Sequence, residues 1–105
     1  MKVFWLAAAG VLSARVGMGA PLDGQALFVE KCLMCHGKQG MGTGLLGRRV
    51  QPPELLLRGD LSAAFVSRVA RVGLGNMPAI TRGEVSDLQL DAIANYLEDN
   101  SRQHR

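Results

Sequence analysis

The sequence predicts an all-α domain of about four short helices, and three observations predict it. Capping residues at Asp23, at Asp60 or Ser62, and at Ser86 each precede an apolar pattern of helical period. No stretch alternates apolar and polar residues as a half-buried strand does, and no internal repeat occurs. Finally, Cys32-Leu33-Met34-Cys35-His36 has the form at which a c-type haem is attached, and a buried porphyrin gives short helices a common apolar surface to pack on.

That motif carries the functional reading. In a helix, residues at i, i+3 and i+4 share one face, so Cys32, Cys35 and His36 can address the same flat ligand. The thiols form thioethers to the porphyrin edge and the imidazole reaches the iron. Cys32 and Cys35 are therefore candidate covalent anchors of one haem c, and His36 is a candidate axial ligand. A thioredoxin-like dithiol needs a βαβ surround, which the pattern lacks. Structural zinc needs four ligands, whereas the chain has 2 cysteines and its other histidine, His104, lies in a charged tail.

With 105 residues the chain is one domain at most, and its first fifth reads as a leader. Met1-Lys2 gives a positive start, Val3 to Leu12 is an almost unbroken apolar run, and Gly17-Met18-Gly19-Ala20 offers the small residues a signal peptidase takes. Residues 1–19 are expected to be a removed signal peptide and 20–105 the folded domain in the periplasm. A cut after Ala20 would put Met18 at the −3 position and Pro21 beside the cut. The apolar run is about half of the roughly 20 residues a bilayer crossing takes, so no membrane span is expected in the mature chain. Lys2 and Arg15 would leave with the leader, lowering the formal charge of +3 to about +1, and haem propionates would offset that further. So small a charge gives no electrostatic case for nucleic-acid binding. A folded part of about 86 residues buries little apolar surface of its own, so the haem-free protein is expected to be largely unfolded.

Taken in order, Asp23 caps a helix through Leu27, Phe28 and Val29 that delivers the cysteines, with Glu30 and Lys31 facing water. Gly24, four residues before Phe28, either admits a close-packed second helix or belongs to a frayed first turn. Gly37, Gly40, Gly42, Gly44 and Gly47 predict a loop from Gly37 to Gly47 around the haem edge. No Gly-Lys-Ser or Gly-Lys-Thr makes it a phosphate loop. A metal-bound imidazole usually donates its other N–H, and a carbonyl near Leu45 is the expected acceptor. Arg48 and Arg49 each suit either a haem propionate or plain solvation. Pro52 and Pro53 open a short helix of Glu54 to Leu57, closed by Gly59, whose leucines fill pocket or core. Asp60 or Ser62 caps the next helix. Its apolar stripe is Phe65, Val66, Val69 and Val72, with Ser67, Arg68 and Arg71 outside and Gly73 at its end.

Gly75-Asn76-Met77-Pro78 is the second informative stretch. A low-spin electron-transfer haem takes a sixth ligand, and a thioether there raises the reduction potential. Of 5 methionines, Met1 and Met18 fall in the leader, Met34 lies between the cysteines, and Met41 follows His36 too closely to reach the opposite ring face. Met77 remains as the candidate axial ligand, directed by Pro78, which forbids helix and favours extended backbone before it. Its competing role is that of an ordinary core methionine. The last helix opens with the capping box Ser86-Asp87-Leu88-Gln89 and a Val85 to Leu90 staple. It turns Leu90, Ile93 and Leu97 inward and Asp91, Glu98 and Asp99 outward. Tyr96 beside that stripe should pack on the first helix, and Asn100 to Arg105 form a polar tail expected to be mobile.

From Asp23 to Leu97 these residues resemble a class I cytochrome c. Gly24 and Phe28 precede the Cys32 to His36 motif, a glycine stretch follows it, and Met77-Pro78 precedes a final helix bearing Tyr96-Leu97. The resemblance implies a small helical shell around one covalently bound haem with a solvent-facing edge, and crossed first and last helices meeting at Gly24, Phe28, Tyr96 and Leu97. The family's usual proline, whose carbonyl accepts from the ligand histidine, is missing: Leu45 follows Gly44. Leu61 to Ile80, especially Phe65-Val66, Arg71-Val72-Gly73 and Asn76-Met77-Pro78-Ala79, is similar to the small cytochrome subunit of flavocytochrome alkylphenol dehydrogenases of the p-cresol methylhydroxylase type. That narrower likeness implies a flavoprotein dehydrogenase subunit as electron donor and a downstream acceptor protein. A freely diffusing respiratory shuttle is the other form of the same role. In either, the chain is an electron carrier and not an enzyme. A haem sensor needs an open sixth position, against which Met77 stands, and a thiol redox or metal-binding module would leave two titratable thiols.

Overall fold

Asp23 begins the first helix by accepting hydrogen bonds from the N–H groups of Gln25 and Ala26 at 3.0 and 3.2 Å, and α1 runs Gly24–Lys31. This computed structural model describes residues 21–105 together with Val3 and Gly10. Apart from those two positions, the expected leader over 1–19 lies outside the described residues, as does its cleavage point. Cys32, at φ −123° and ψ −28°, interrupts the helix. A second short helix, α2, covers Leu33–His36, with the N–H groups of Cys35 and His36 donating to the Cys32 carbonyl at 3.2 and 3.0 Å. The motif thus occupies a helical turn of its own.

Met41–Leu46 form α3, where glycine density predicts a loop. Gly37, Gly40 and Gly42 serve close approach instead of irregular backbone, and none of the glycines from Gly37 to Gly47 has a positive φ. A methyl group at Gly40 would overlap the Cys35 carbonyl, and one at Gly42 would come within 2.8 Å of the same oxygen. Thr43, buried, donates its hydroxyl to the Gly37 carbonyl at 2.6 Å and ties α3 to the motif turn. A 3-10 turn, Leu55–Leu57, stands where the sequence predicts a short helix.

The next helix, α4, spans Ala63–Val72 and is capped by Ser62, whose Oγ accepts from the Phe65 N–H at 3.1 Å. Asp60 instead binds Arg58 through bonds of 2.9 and 2.8 Å. Several positions on α4 differ from the amphipathic pattern. Phe65, in the first turn, and Val72, in the last, are exposed, and Ala70 is buried. Arg71 lies inward, its side chain 17% exposed, because the Ile80 carbonyl and Asp87 give its guanidinium partners there. Gly73 ends the helix at φ 82°. Gly75, at φ 57°, then turns the chain so that Leu74 and Met77 exchange N–H to carbonyl bonds of 3.0 and 2.9 Å.

The last helix, α5, spans Asp87–Arg102 and begins with the expected reciprocal cap: Ser86 Oγ accepts from the Gln89 N–H and Gln89 Oε1 from the Ser86 N–H. Val85 and Leu90 are both buried beside it. It packs on α1 and α4. Where it crosses α1, a methyl group at Gly24 would overlap the Ala92 carbonyl, so Gly24 serves close approach. The Phe28 and Tyr96 rings meet there, tilted 48° with centroids 6.0 Å apart. The tail is not loose as expected. The helix extends to Arg102, Ser101 is fully buried and its Oγ accepts from the Leu61 N–H at 2.9 Å. Asn100 Nδ2 donates to the Leu56 carbonyl at 2.8 Å, and Arg105 Nε donates to the Gly59 carbonyl at 3.2 Å.

The architecture is all-α, with no strand among the described residues beyond the single Leu74 to Met77 bridge. Among the described residues five α-helices stand where about four were expected: the motif turn separates from α1 and the glycine stretch is helical, while the helix expected at Glu54 to Leu57 is a 3-10 turn. Leu27, Phe28, Leu61, Ala70, Val85, Leu90, Ile93 and Leu97 form the core.

Candidate functional site

Every member of the core cluster except Leu27 also lines a cavity of about 580 Å³, within the roughly 300–1,000 Å³ typical of cofactor pockets. Cys32, Cys35 and His36 enter the lining from the motif turn, and Leu45 and Leu46 from α3. Phe65, Val66 and Val69 come from α4, Met77 and Pro78 from the turn after it, and Leu90, Ile93 and Leu97 from α5. Arg48, Arg49 and Arg58 are the charged members. The six residues singled out by sequence, Cys32, Cys35, His36, Met77, Arg48 and Arg49, therefore share one apolar cavity. Met41 lines it as well, but is 73% exposed.

The donor set fits a haem. Burial lowers the affinity of the His36 imidazole for a proton, leaving it in the neutral form that ligates metals. Its Nδ1 is buried without a hydrogen-bond partner, a state that costs about 1–3 kcal/mol unless another interaction satisfies it. The acceptor expected near Leu45 is not there, and the helix explains why: the Leu45 carbonyl accepts from the N–H groups of Gly47 and Arg48 at the end of α3. Burial, with the charge of Cys35 adding to it, pushes the Cys32 thiol up to about 11. Reactive dithiols show the opposite shift. Both cysteines are free of any disulfide. Among the described residues no three His, Cys, Asp or Glu side chains gather in a way that would hold a bare metal ion.

Arg48 and Arg49 are exposed at the cavity. Arg58, which the sequence reading passed over, is the better fixed of the three. Its side chain is 13% exposed, and the bidentate bond to Asp60 orients it. The available signal was Arg58-Gly59-Asp60, a cation and an anion two residues apart.

Residues 19–97 match the family model described as cytochrome c oxidase, cbb3-type, subunit III. Over 86 residues the chain is 31% identical to the cbb3-type cytochrome c oxidase subunit FixP of Bradyrhizobium diazoefficiens. That alignment takes in 82% of this chain and 29% of the relative, so the chain spans under a third of that protein's length. No solved structure matches the chain significantly.

Proposed function

This chain belongs to the cytochrome c family described as cbb3-type cytochrome c oxidase subunit III, and we propose that it is a mono-haem carrier of single electrons in the periplasm. A cytochrome c domain binds haem and transfers electrons. In our reading Cys32 and Cys35 would hold one haem c through thioethers, and His36 and Met77 would ligate its iron. The haem supplies an iron that changes charge by one electron. The protein supplies the rest. Phe65, Val66, Ile93 and Leu97, which line the cavity, would keep water from the ring, and the Met77 thioether would favour the reduced form. Arg48 and Arg49 offset the propionates.

The observation that carries this reading is the convergence of two thiols, an imidazole and the Met77 side chain on a single apolar cavity. Met77→Ala in the haem-loaded protein tests it. The iron–sulfur absorption band should disappear, the reduced protein should bind carbon monoxide, and the potential should fall by on the order of 0.1 V, within the roughly 0.8 V that axial ligands govern. Met41→Ala should change none of these. Unaltered spectra and potential in Met77→Ala would refute the assignment.

For the partners, we take the donor to be a flavoprotein dehydrogenase subunit, supported by the likeness of Leu61 to Ile80, with a separate acceptor protein downstream. A second reading has its own support, since the matched family and the FixP relative are both named for a cbb3-type oxidase. In it the chain delivers electrons to a terminal oxidase. Purification of the native complex separates the two: bound flavin marks the first and oxygen consumption the second. Export agrees with the family and with the apolar N-terminal run, and among the described residues no helix is long and apolar enough to cross a membrane. Against a thiol redox module stands the raised Cys32 thiol. Such a module would also leave the denatured protein without haem stain on electrophoresis. A sensor would bind carbon monoxide readily with Met77 intact.

A further inference from the structure

Between the end of α4 at Val72 and the start of α5 at Asp87 the chain forms no helix, yet this is the stretch that carries Met77. The bonds between Leu74 and Met77, and those from Glu84 and Val85 back to Thr81, close local turns without tying the segment to the rest of the protein. Ile80 provides the tie. Its N–H donates to the Ala70 carbonyl at 2.7 Å, and its own carbonyl accepts from Arg71 Nη1 at 3.1 Å. Arg71 Nη2 donates to Asp87 Oδ1 at 2.8 Å on the first turn of α5. One guanidinium therefore joins the end of α4, the methionine segment and the start of α5.

The placement of Arg71 is not that of a surface cation. Its Nε is buried without a partner, a penalty that rotation into solvent would relieve if the other two nitrogens did not hold it. Arg82 also pairs with Asp87, at 3.0 Å, but its side chain is 72% exposed. Asp87 sits where a helix N-terminus favours negative charge, so the anchor for Arg71 is itself held in place.

We propose that Arg71 is a positioning residue for Met77: clamped between the Ile80 carbonyl and Asp87, it keeps the methionine segment closed over the haem cavity. The inference rests on the reading of Met77 as axial ligand. Arg71 acts three residues away from that ligand, through the main chain of Ile80. Releasing it frees the sixth position while α4 and α5 stay folded.

The test uses the haem-loaded full chain and two readouts, the iron–sulfur band and carbon monoxide binding by the reduced protein, with helix content followed by circular dichroism. Arg71→Met should weaken the band and raise carbon monoxide binding about tenfold, as expected for a tenfold larger open population, at unchanged helix content. Arg71→Lys, which has no planar fork to span both partners, should fall between. Asp87→Asn, a substitution at an exposed site, should shift both readouts in the same direction and covers the case in which Arg71→Met fails to fold. Arg82→Met should leave both as in the parent. If Met77→Ala loses the band while Arg71→Met and Asp87→Asn keep parental band and carbon monoxide binding, the clamp is wrong and the ligand assignment stands. If Met77→Ala itself keeps the band, the ligand assignment fails and the clamp with it.

Discussion

At Asp87 two guanidinium groups meet one carboxylate, and Arg82 first and Arg71 second hold its proton affinity below the ordinary value of 3.8. A depressed carboxylate stabilises the fold fully above the unfolded-state value of about 3.9, and that contribution is lost as pH falls through the lower folded-state value. Asp87→Asn should therefore be less stable than the parent at pH 7, with the gap closing as pH falls below the ordinary carboxylate range. Urea melts at a series of pH values read this directly. A gap that stays constant to the acid limit would show that the shape of the side chain matters and its charge does not. The same residue marks what the sequence could convey. The cavity lining that holds Cys32, Cys35, His36 and Met77 was legible as a candidate site, from the spacing of the first three and, for Met77, from exclusion among methionines. Arg71 was not. Amphipathic patterns sort residues by hydropathy, but an arginine can lay its stem inward and find partners that only tertiary placement brings near. For Arg71 those partners are the Ile80 carbonyl and Asp87.

Among the elements, α3 and the end of α5 depart most from sequence expectation, and both departures can be tested by removing or adding a single small group. Gly44 lies inside α3, and a methyl group there would meet nothing within 4 Å. If the segment is helical, Gly44→Ala should stabilise the protein by about 0.5–1 kcal/mol. A loop would gain nothing systematic. Gly40→Ala, at the start of the same helix, should do the reverse because its methyl overlaps the Cys35 carbonyl. Glycine count could not separate these cases, since glycine serves both irregular backbone and close approach. At the other end of the chain, Ser101→Ala leaves the buried Leu61 N–H without its acceptor and should cost about 1–3 kcal/mol in a denaturant melt. A loss under a few tenths would mean that the tail is as loose as its polar composition suggests. Composition misleads here because Asn100, Ser101 and Arg105 spend their polar atoms on main-chain groups of the Leu56 to Leu61 stretch.

For the molecule as a whole, one surface serves as both core and cofactor pocket. Because every cluster residue but Leu27 lines the cavity, the apolar layer holding α1, α4 and α5 together has protein on one side only. A domain of this size, described over residues 21–105, has little surplus stability to lose. The helices cannot compensate. They run from 4 residues in α2 to 16 in α5, and isolated helices below about 12–15 residues are marginal in water. In the proposed reading a bound haem supplies the missing side of the core, and binding confined to the native state adds its free energy to folding. The double variant Cys32→Ser, Cys35→Ser, extracted free of haem, should therefore show weak helical circular dichroism with no cooperative melt. Its residual signal should come mainly from α5, the one helix long enough and well enough capped to persist. Adding free haem should recover part of the helix content through His36 and Met77 without the thioethers. A haem-free protein that melts cooperatively at the parental temperature would mean that the fold stands on its own core and that the haem is cargo.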